Sequence, residues 1–284
     1  MQLGIFAKTF ARTSLEDNLD AVRNYGFECV QYNLVCAGLP TLPESIDSAM
    51  CDRIRRAFAA RGLSMAAVSG TFNVIDPNLE RRQLGFQRLR TLAEACGRLG
   101  TSVITICTGT CDPDNMWRRH PDNDKPDTWS ELLRSMQSVA TIGEQTGVTM
   151  AFEPEVNNVV DTARKGRQLL DGIASPRLKV IMDGANLFHA GELPRMREIL
   201  DEAFELLGRD IVLAHAKDLN RDGDAGDVPA GAGLLDYDFY LSRLRATGFR
   251  GPLVTHGLTE DQVPACAAFL SQKLNAAGNR SRGT

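Results

Sequence analysis

Residues 211–219 read IVLAHAKDL. Its first four residues are apolar, and a histidine, a lysine and an aspartate follow at once as His215, Lys217 and Asp218. A short continuous apolar run is typical of a strand buried on both faces, as in a parallel sheet. The ionisable side chains at its end indicate a functional site where the strand finishes.

Seven further apolar runs of this kind recur along the chain, and segments with helical periodicity separate them. The runs are LGIFA (3–7), CVQYNL (29–34), MAAVSG (65–70), SVITIC (102–107), VTMAFE (148–153), KVIMD (179–183) and PLVTH (252–256). Eight alternations of strand and helix in about 250 residues predict an α/β fold of the (β/α)₈ barrel type. A doubly wound open sheet is the competitor, but its glycine-rich phosphate fingerprint is missing from FAKTFARTS (6–14) after the first run.

The helical segments carry start and stop signals. Ser14 precedes the first of them as an expected N-cap, and a glycine ends several. The segments with the clearest periodicity are 15–26, 80–100, 129–147, 196–208 and 237–248, and the terminating glycines are Gly26, Gly62, Gly100, Gly147, Gly208 and Gly248. No linker divides the chain, so we expect a single barrel domain over 1–274 and a polar C-terminal tail over 275–284.

Composition narrows the classes of function. The net charge is −4 and the isoelectric point is about 5.7, whereas nucleic-acid-binding proteins usually present a basic face. No apolar stretch approaches the ~20 residues of a membrane span, and the start of the chain lacks the pattern of a signal peptide. The seven cysteines show no CxxC spacing, which predicts free thiols. We expect a cytoplasmic protein with no nucleic-acid or membrane partner; the composition is compatible with a homo-oligomer.

Four successive predicted strands finish in side chains that bind metal ions. The strands end in Glu153, Asp183, His215 and His256, and Glu155 follows two residues after the first. Chemistry in this fold sits at the carboxyl ends of the strands, and buried carboxylates are costly unless they are paired or bound to metal. The convergence of these groups on one barrel mouth predicts a divalent-metal centre.

Three motifs in this order resemble the xylose-isomerase-like TIM barrels known as sugar phosphate isomerases and epimerases: AFEPE (151–155), VIMDGANL (180–187) and LAHAKD (213–218). The resemblance covers nearly the whole chain and implies a sugar or sugar derivative as the small-molecule substrate. In that family, the ends of strands five to eight supply Glu, Asp, His and Glu to one divalent metal. Carried over, the ligands are Glu153, Asp183, His215 and the residue at position 256.

Two positions depart from the family pattern. His256 stands where the family has a glutamate, and Asn186 stands where many ketose epimerases have a histidine near the substrate. A ligand set with two imidazoles suits Mn²⁺, our favoured ion, or Co²⁺, Fe²⁺ or Zn²⁺ better than Mg²⁺, although Mg²⁺ stays an alternative. The replacement removes one of the two carboxylates that exchange the substrate proton in epimerases.

The resemblance implies a metal-dependent sugar isomerase or epimerase that acts through a metal-stabilised enediolate. Because His256 breaks the two-carboxylate pattern, a lyase or deglycosidase acting on keto-sugars is the alternative, and a non-catalytic sugar-binding barrel is a second one. The three-metal apurinic endonucleases of the superfamily need further histidines at the mouth, which the sequence does not supply.

The remaining candidates surround this centre. Catalytic roles are expected for Glu153, Glu155, His256 and Lys217, with Glu153 preferred over Glu155 as the base. Substrate binding is expected for Asn186, Asp218, Trp117 and His120, the last two within a long polar loop, 110–129, that holds both tryptophans. Asp218 could instead orient His215 or cap the next helix, and Arg118 and Arg119 could read a phosphate. GAG (231–233) is expected to allow close backbone approach and not to bind a dinucleotide.

Overall fold

The computed structural model describes the backbone of residues 1–280 and the side chains of residues 1–276. Eight parallel strands form a ring, and a ninth, two-residue strand pairs antiparallel with one of them. In chain order they are β1 (Gln2–Phe6), β2 (Cys29–Tyr32), β3 (Ser64–Ser69), β4 (Val103–Ile106), β5 (Thr149–Phe152), β6 (Leu178–Asp183), β7 (Ile211–Asp218), the short β8 (Val228–Pro229) and β9 (Pro252–Thr255). Pairing of β6 with β7, β7 with β9 and β9 with β1 closes the ring. The predicted (β/α)₈ barrel is confirmed, and all eight predicted strand runs are present.

Helices between the strands cover the outside of the barrel. They are α1 (Leu15–Asn24), α2 (Ser48–Ala60), α3 (Leu79–Leu99), α4 (Pro126–Thr146), α5 (Ala163–Ile173), α6 (Met196–Leu207), α7 (Tyr237–Ala246) and α8 (Val263–Arg280). Ser14 is the N-cap of α1, where its hydroxyl accepts a 3.0 Å hydrogen bond from the Asp17 backbone N–H. The predicted cap is therefore confirmed.

Five of the six predicted glycine terminators adopt the left-handed conformation, with φ between +62° and +92°. The exception is Gly208, whose φ of −54° is helical because the chain continues from α6 into a short 3₁₀ turn. Glycine is needed at position 208 for another reason, because a Cβ there would lie 2.5 Å from Thr247 Cγ2. Close packing of α6 on the end of α7, and not chain reversal, requires glycine at this position.

The predicted tail, 275–284, overlaps the last helix, because α8 continues to Arg280. Residues 281–284 lie outside the described residues, and the division of the chain at 274 stays a prediction. The seven cysteines are free thiols, as expected. None of the helices described between residues 1 and 280 combines the length and apolarity that crossing a membrane requires.

Two apolar layers hold the fold together. The larger one lies between the strands and the helices. The smaller one fills the inside of the barrel with one side chain from each of five strands: Ala67, Ala151, Ile181, Leu213 and Val254. Ile181 from this inner layer also lines the cavity above it. The barrel is thus filled beneath the carboxyl ends of its strands and open at those ends.

Candidate functional site

A cavity of about 570 Å³ opens at the carboxyl ends of the barrel strands. Of the predicted site residues, seven line it: Trp117, Glu153, Glu155, Asn186, His215, Lys217 and His256. They come from the ends of five strands and the loops that follow them, because parallel strands deliver their last residues to one face of a barrel. The prediction that the strand ends converge on one site agrees with this placement, and the chemical roles stay predictions.

Asp183 lies at the centre of the ionisable cluster and its side chain is fully buried. Its Oδ2 atom is 3.2 Å from His256 Nε2, 3.5 Å from Lys217 Nζ and 3.7 Å from His215 Nδ1. Donor atoms of Asp183, His215 and His256 all lie within 4.8 Å of one another, as a shared metal ion would require. The cluster therefore contains three of the four predicted metal ligands in a compact group.

Glu153 adds a fourth donor beside this group. Its Oε2 atom is 3.3 Å from His215 Nδ1, and its Oε1 atom accepts a 2.5 Å hydrogen bond from Asn186 Nδ2. Although two carboxylates lie near it, His215 Nδ1 makes no hydrogen bond of acceptable geometry among the described residues and is buried. A buried nitrogen without a partner, facing carboxylates and a second imidazole, fits a divalent cation well.

The electrostatics of the cluster agree with a cation-binding role. Burial opposes the shift, but the carboxylates of Glu153 and Asp183 raise the pKa of His215 to about 9. Burial, reinforced by the neighbouring positive groups, lowers the pKa of His256 to about 4. Despite its burial, Asp183 has a pKa well below its usual range because Lys217 and the two histidines favour its charged form. A divalent ion would replace the proton that the carboxylates otherwise hold on His215.

Glu155 stands apart from this group on the wall of the cavity. Its Oε1 atom accepts a 3.2 Å hydrogen bond from Asn158 Nδ2, while the structure gives its Oε2 atom no protein partner among the described residues. Burial, together with the nearby charge of Glu153, raises the pKa of Glu155 to about 8. Glu155 thus lines the cavity and has one carboxyl oxygen that makes no hydrogen bond to the described residues.

Lys217 lines the cavity, as its strand parity with His215 predicts, and its side chain is 7% exposed. Gly257 makes room for it, since a Cβ at that position would lie 3.1 Å from Lys217 Cδ. Burial opposes the shift, but the carboxylates of Asp183, Glu153 and Glu155 raise the pKa of Lys217 above its usual value. The charged ammonium group is available to a substrate oxygen at the cavity wall.

Asp218 does not orient His215 and does not cap the next helix, which has Asp236 as its N-cap. Its carboxylate accepts backbone N–H groups from Leu219 at 2.9 Å, Gly231 at 3.0 Å and Leu235 at 2.8 Å. The side chain is buried and does not line the cavity in the described part of the chain. Asp218 therefore holds the loop between β7 and α7 together. The glycines of GAG give the close approach that was expected, because a Cβ at Gly233 would lie 2.5 Å from Asp218 Oδ1.

The polar loop after β4 contributes less than the sequence indicates. Trp117 is half exposed and lines the cavity, but Trp129 belongs to α4 and not to the loop. His120 caps a 3₁₀ turn through Nδ1, which accepts the Asp122 N–H at 3.2 Å, and it does not line the cavity as described. The structure thus places His120 outside the lining of this cavity, and its predicted role in substrate binding stays a prediction.

The two arginines of the loop are paired with carboxylates. Arg118 Nη2 lies 3.0 Å from Asp112 Oδ1, and Arg119 reaches Asp161 at 3.1 Å and Asp124 at 2.6 Å. Neither lines the cavity in the described structure. Their charges stabilise the loop, and this arrangement does not support the alternative that they read a phosphate.

Several cavity residues were not anticipated from the sequence. Gln31 projects from the middle of β2, and Lys8, Asn33, Asn157 and Asp224 line the cavity from loops. The sequence could have indicated Gln31, because it interrupts an otherwise apolar strand and a buried amide needs a hydrogen-bond partner. The loop residues carry none, since their position depends on loop geometry and not on sequence periodicity.

Comparison with known proteins agrees with the fold. The sequence model of the family described as xylose isomerase-like TIM barrel matches residues 19–272. No curated protein matches the sequence.

Solved structures share the whole architecture. They include 3-keto-D-glucoside 4-epimerase YcjR from E. coli in its apo form, with 18% identity, 97% of this chain and 99% of that chain covered, and a TM-score of 0.73. A D-tagatose 3-epimerase-like protein shows 15% identity, coverage of 99% and 100%, and a TM-score of 0.77. The IolI protein with a bound zinc atom shows 19% identity, coverage of 95% and 96%, and a TM-score of 0.68. At these identities the likeness shows the fold alone.

Proposed function

The chain belongs to the xylose isomerase-like TIM barrel family, and we propose that it is a divalent-metal-dependent sugar isomerase or epimerase. The observation that carries this proposal is the juxtaposition of a cation-binding cluster with an uncommitted carboxylate, Glu155, in one cavity. The names of the similar structures support a sugar substrate, since two of them are a keto-glucoside epimerase and a tagatose-epimerase-like protein.

Glu153, Asp183, His215 and His256 would hold the ion. Bound there, a divalent cation supplies Lewis acidity that lowers the cost of removing a proton next to a carbonyl group. Mn²⁺ is our favoured ion, because two imidazoles and two carboxylates form a mixed nitrogen and oxygen donor set. The zinc atom in the IolI structure supports a divalent metal but not a particular element for this chain.

The proton is moved by this chain's own side chains. Glu155 is the better base in our proposal, although the family position favours Glu153. One oxygen of Glu153 accepts from Asn186, and the other lies 3.3 Å from His215 Nδ1, where the cation would bind. Asn158 holds one oxygen of Glu155 and leaves the other to accept the α-proton. Return of that proton to the neighbouring carbon, with the hydroxyl proton passing to the former carbonyl oxygen, gives an isomer. An epimer requires a second acid that delivers a proton to the opposite face of the same carbon. Lys217 would donate a hydrogen bond to a substrate oxygen.

We propose that the substrate is an uncharged sugar and not a sugar phosphate. Arg118 and Arg119 are paired with carboxylates. The cavity lining contains no arginine among the described residues. A phosphate dianion would therefore lack the bidentate guanidinium partner that commonly binds such groups.

The proposal is tested by proton exchange. The chelator-treated protein and the same sample reloaded with Mn²⁺ are given free ketoses and a 3-keto-glycoside in D₂O, and the products are read by NMR. We expect deuterium at the carbon next to the carbonyl, with a new isomer or epimer, only in the reloaded sample. Full activity after chelation, or no exchange by the loaded protein on any of these sugars, would contradict it. Release of the aglycone without an isomer of the free sugar would establish the lyase alternative instead.

A further inference from the structure

Gln31 contacts His215 of the ionisable cluster on the side of the imidazole ring opposite the carboxylates. Its side chain lies in the barrel interior and is 7% exposed. Its Oε1 atom is 2.8 Å from His215 Nε2, and its Nε2 atom donates a 3.3 Å hydrogen bond to Thr105 Oγ1 on β4. The amide of Gln31 on β2 thus connects Thr105 on β4 with His215 on β7.

The two nitrogens of His215 face different surroundings. Nδ1 lies 3.3 Å from Glu153 and 3.7 Å from Asp183, where a cation would sit, whereas Nε2 faces Gln31. A histidine that binds a cation through Nδ1 must carry its proton on Nε2, and the group that accepts this proton sets the tautomer. The carbonyl oxygen of Gln31 is such an acceptor.

We propose that Gln31 is a positioning residue for the metal centre: it holds the His215 proton on Nε2 and so keeps Nδ1 free to bind a divalent cation. This inference rests on the metal site of the proposed function, but not on its sugar chemistry. In the structure the amide nitrogen of Gln31 donates to the Thr105 hydroxyl, which leaves the amide oxygen facing His215 Nε2. The reversed amide would present NH₂ to Nε2 and move the ring proton to Nδ1, where it would block the cation.

The first test measures Zn²⁺ affinity by competition with a chromophoric chelator. Gln31→Met keeps the length of the side chain and removes the acceptor, so we expect binding weaker by about 10–100-fold, the usual effect of losing such a partner. Gln31→Glu restores an acceptor and should return the affinity to at least the wild-type value. Ser69→Ala is the matched control, because Ser69 lines the same cavity and its hydroxyl has no hydrogen-bond partner among the described residues.

The second test observes the tautomer directly. The chain has four histidines, so long-range ¹H–¹⁵N NMR of the Zn²⁺-loaded, ¹⁵N-histidine-labelled protein is simple to assign, with His215→Ala as the reference. We expect His215 to carry its proton on Nε2 in the wild type and a mixed or lost signal in Gln31→Met. Thr105→Val, which releases the amide, should show the same change in milder form and serves if Gln31→Met does not fold.

Wild-type affinity in both Gln31→Met and Thr105→Val, or a proton on Nδ1 of His215 in the Zn²⁺-loaded wild type, would overturn the inference. Failure of the wild type itself to bind Zn²⁺ would overturn the metal-dependent function as well. Metal binding that depends on Gln31, without any exchange of sugar protons, would sustain this inference and reject the proposed reaction.

Discussion

Asp183 Oδ2 lies 3.2 Å from Nε2 of His256, a contact between the ends of two strands that are separated by 73 positions in the chain. The imidazole occupies the place where the family resemblance leads us to expect a carboxylate. The same Asp183 oxygen lies 3.7 Å from His215 Nδ1, so the two histidines share one carboxylate oxygen. The centroids of the two imidazole rings are 4.3 Å apart. The geometry therefore favours His256 as a metal ligand over His256 as a free acid.

The first prediction follows from this contact. Asp183→Ala, His215→Ala and His256→Ala should each weaken Mn²⁺ binding by more than the 10–100-fold typical of residues one step removed from a metal. Metal content after dialysis, measured by elemental analysis, checks this. His120→Ala is the control and should keep the wild-type content, because His120 lies outside the cavity lining. Unchanged content in Asp183→Ala would disprove the site, whereas retention in His256→Ala alone would make His256 available as an acid.

The second prediction concerns the base. Glu155→Gln removes the carboxylate but keeps an oxygen to accept the hydrogen bond from Asn158, so the fold and the metal content should survive. The rate of substrate deuterium exchange should fall by about 10²–10⁴-fold, the usual contribution of a positioned base. Glu153→Gln, measured beside it, should lower the metal content as well. Unchanged exchange in metal-replete Glu155→Gln would remove Glu155 from the mechanism.

The sequence predicts the strand ends of the site better than its loops. Glu153 and His256 could be found because each directly follows an apolar run where a parallel strand ends, and His215 because it interrupts the apolar run of β7 before that strand ends at Asp218. That rule has a physical basis, since apolar runs define the strands and the barrel brings their ends together. The same reasoning places Lys217 through its parity with His215.

Other positions needed the three-dimensional structure. The sequence predicts that Asp218 binds substrate, orients His215 or caps the next helix, yet its carboxylate accepts three backbone N–H groups of the loop that follows. His120 likewise caps a turn. Gln31 contacts His215 across 184 positions in sequence, a relationship that no local pattern encodes.

The third prediction separates the structural role of Asp218 from a role in substrate binding. Asp218→Ala leaves three backbone N–H groups of the loop without their acceptor, and two of these hydrogen bonds, from Leu219 and Leu235, are buried. Each unsatisfied buried donor costs about 1–3 kcal/mol, so we expect a loss of about 2 kcal/mol or more in the free energy of unfolding, measured by urea denaturation. Asp238→Ala, which removes only an exposed ion pair with Lys273, should change it by less than about 1 kcal/mol. A fully stable Asp218→Ala protein with weakened sugar binding would return Asp218 to the substrate site.

The fourth prediction concerns Asn186. Its side-chain Nδ2 donates to Glu153 Oε1 at 2.5 Å, and its side-chain Oδ1 accepts the Gly226 N–H at 3.0 Å. Asn186 therefore joins a proposed metal ligand to the loop after β7. Asn186→Ala should free both partners and raise the rate of hydrogen exchange at the Gly226 amide, with little effect on the amides of β7 itself. Mass spectrometry of exchange in metal-free protein measures this without relying on activity. Equal protection of Gly226 in both proteins would show that the loop is held without Asn186.

The last prediction uses pH to examine the loop after β4. The Arg118 guanidinium, with the N–H groups of Asp114 and Asn115, lowers the pKa of Asp112 to about 2. The usual pKa of an aspartate is about 3.9. The folded loop therefore stabilises the charged carboxylate of Asp112 relative to the unfolded chain. Its stabilisation is complete above about pH 4 and is lost as the pH falls through about 2.

Trp117 reports on this loop if Trp129 is replaced by Phe, since the chain has only two tryptophans. We expect the emission of Trp117 to shift between about pH 4 and 2 while the far-ultraviolet circular dichroism of the barrel is still native. Asp112→Asn should show the shifted emission already at pH 7, because the charge that pairs with Arg118 is gone. Asp114→Asn is the matched control: its carboxylate is 82% exposed and 3.9 Å from Arg118, so its titration should follow the parent protein. Identical titrations for Asp112→Asn and Asp114→Asn would show that Asp112 does not order the loop.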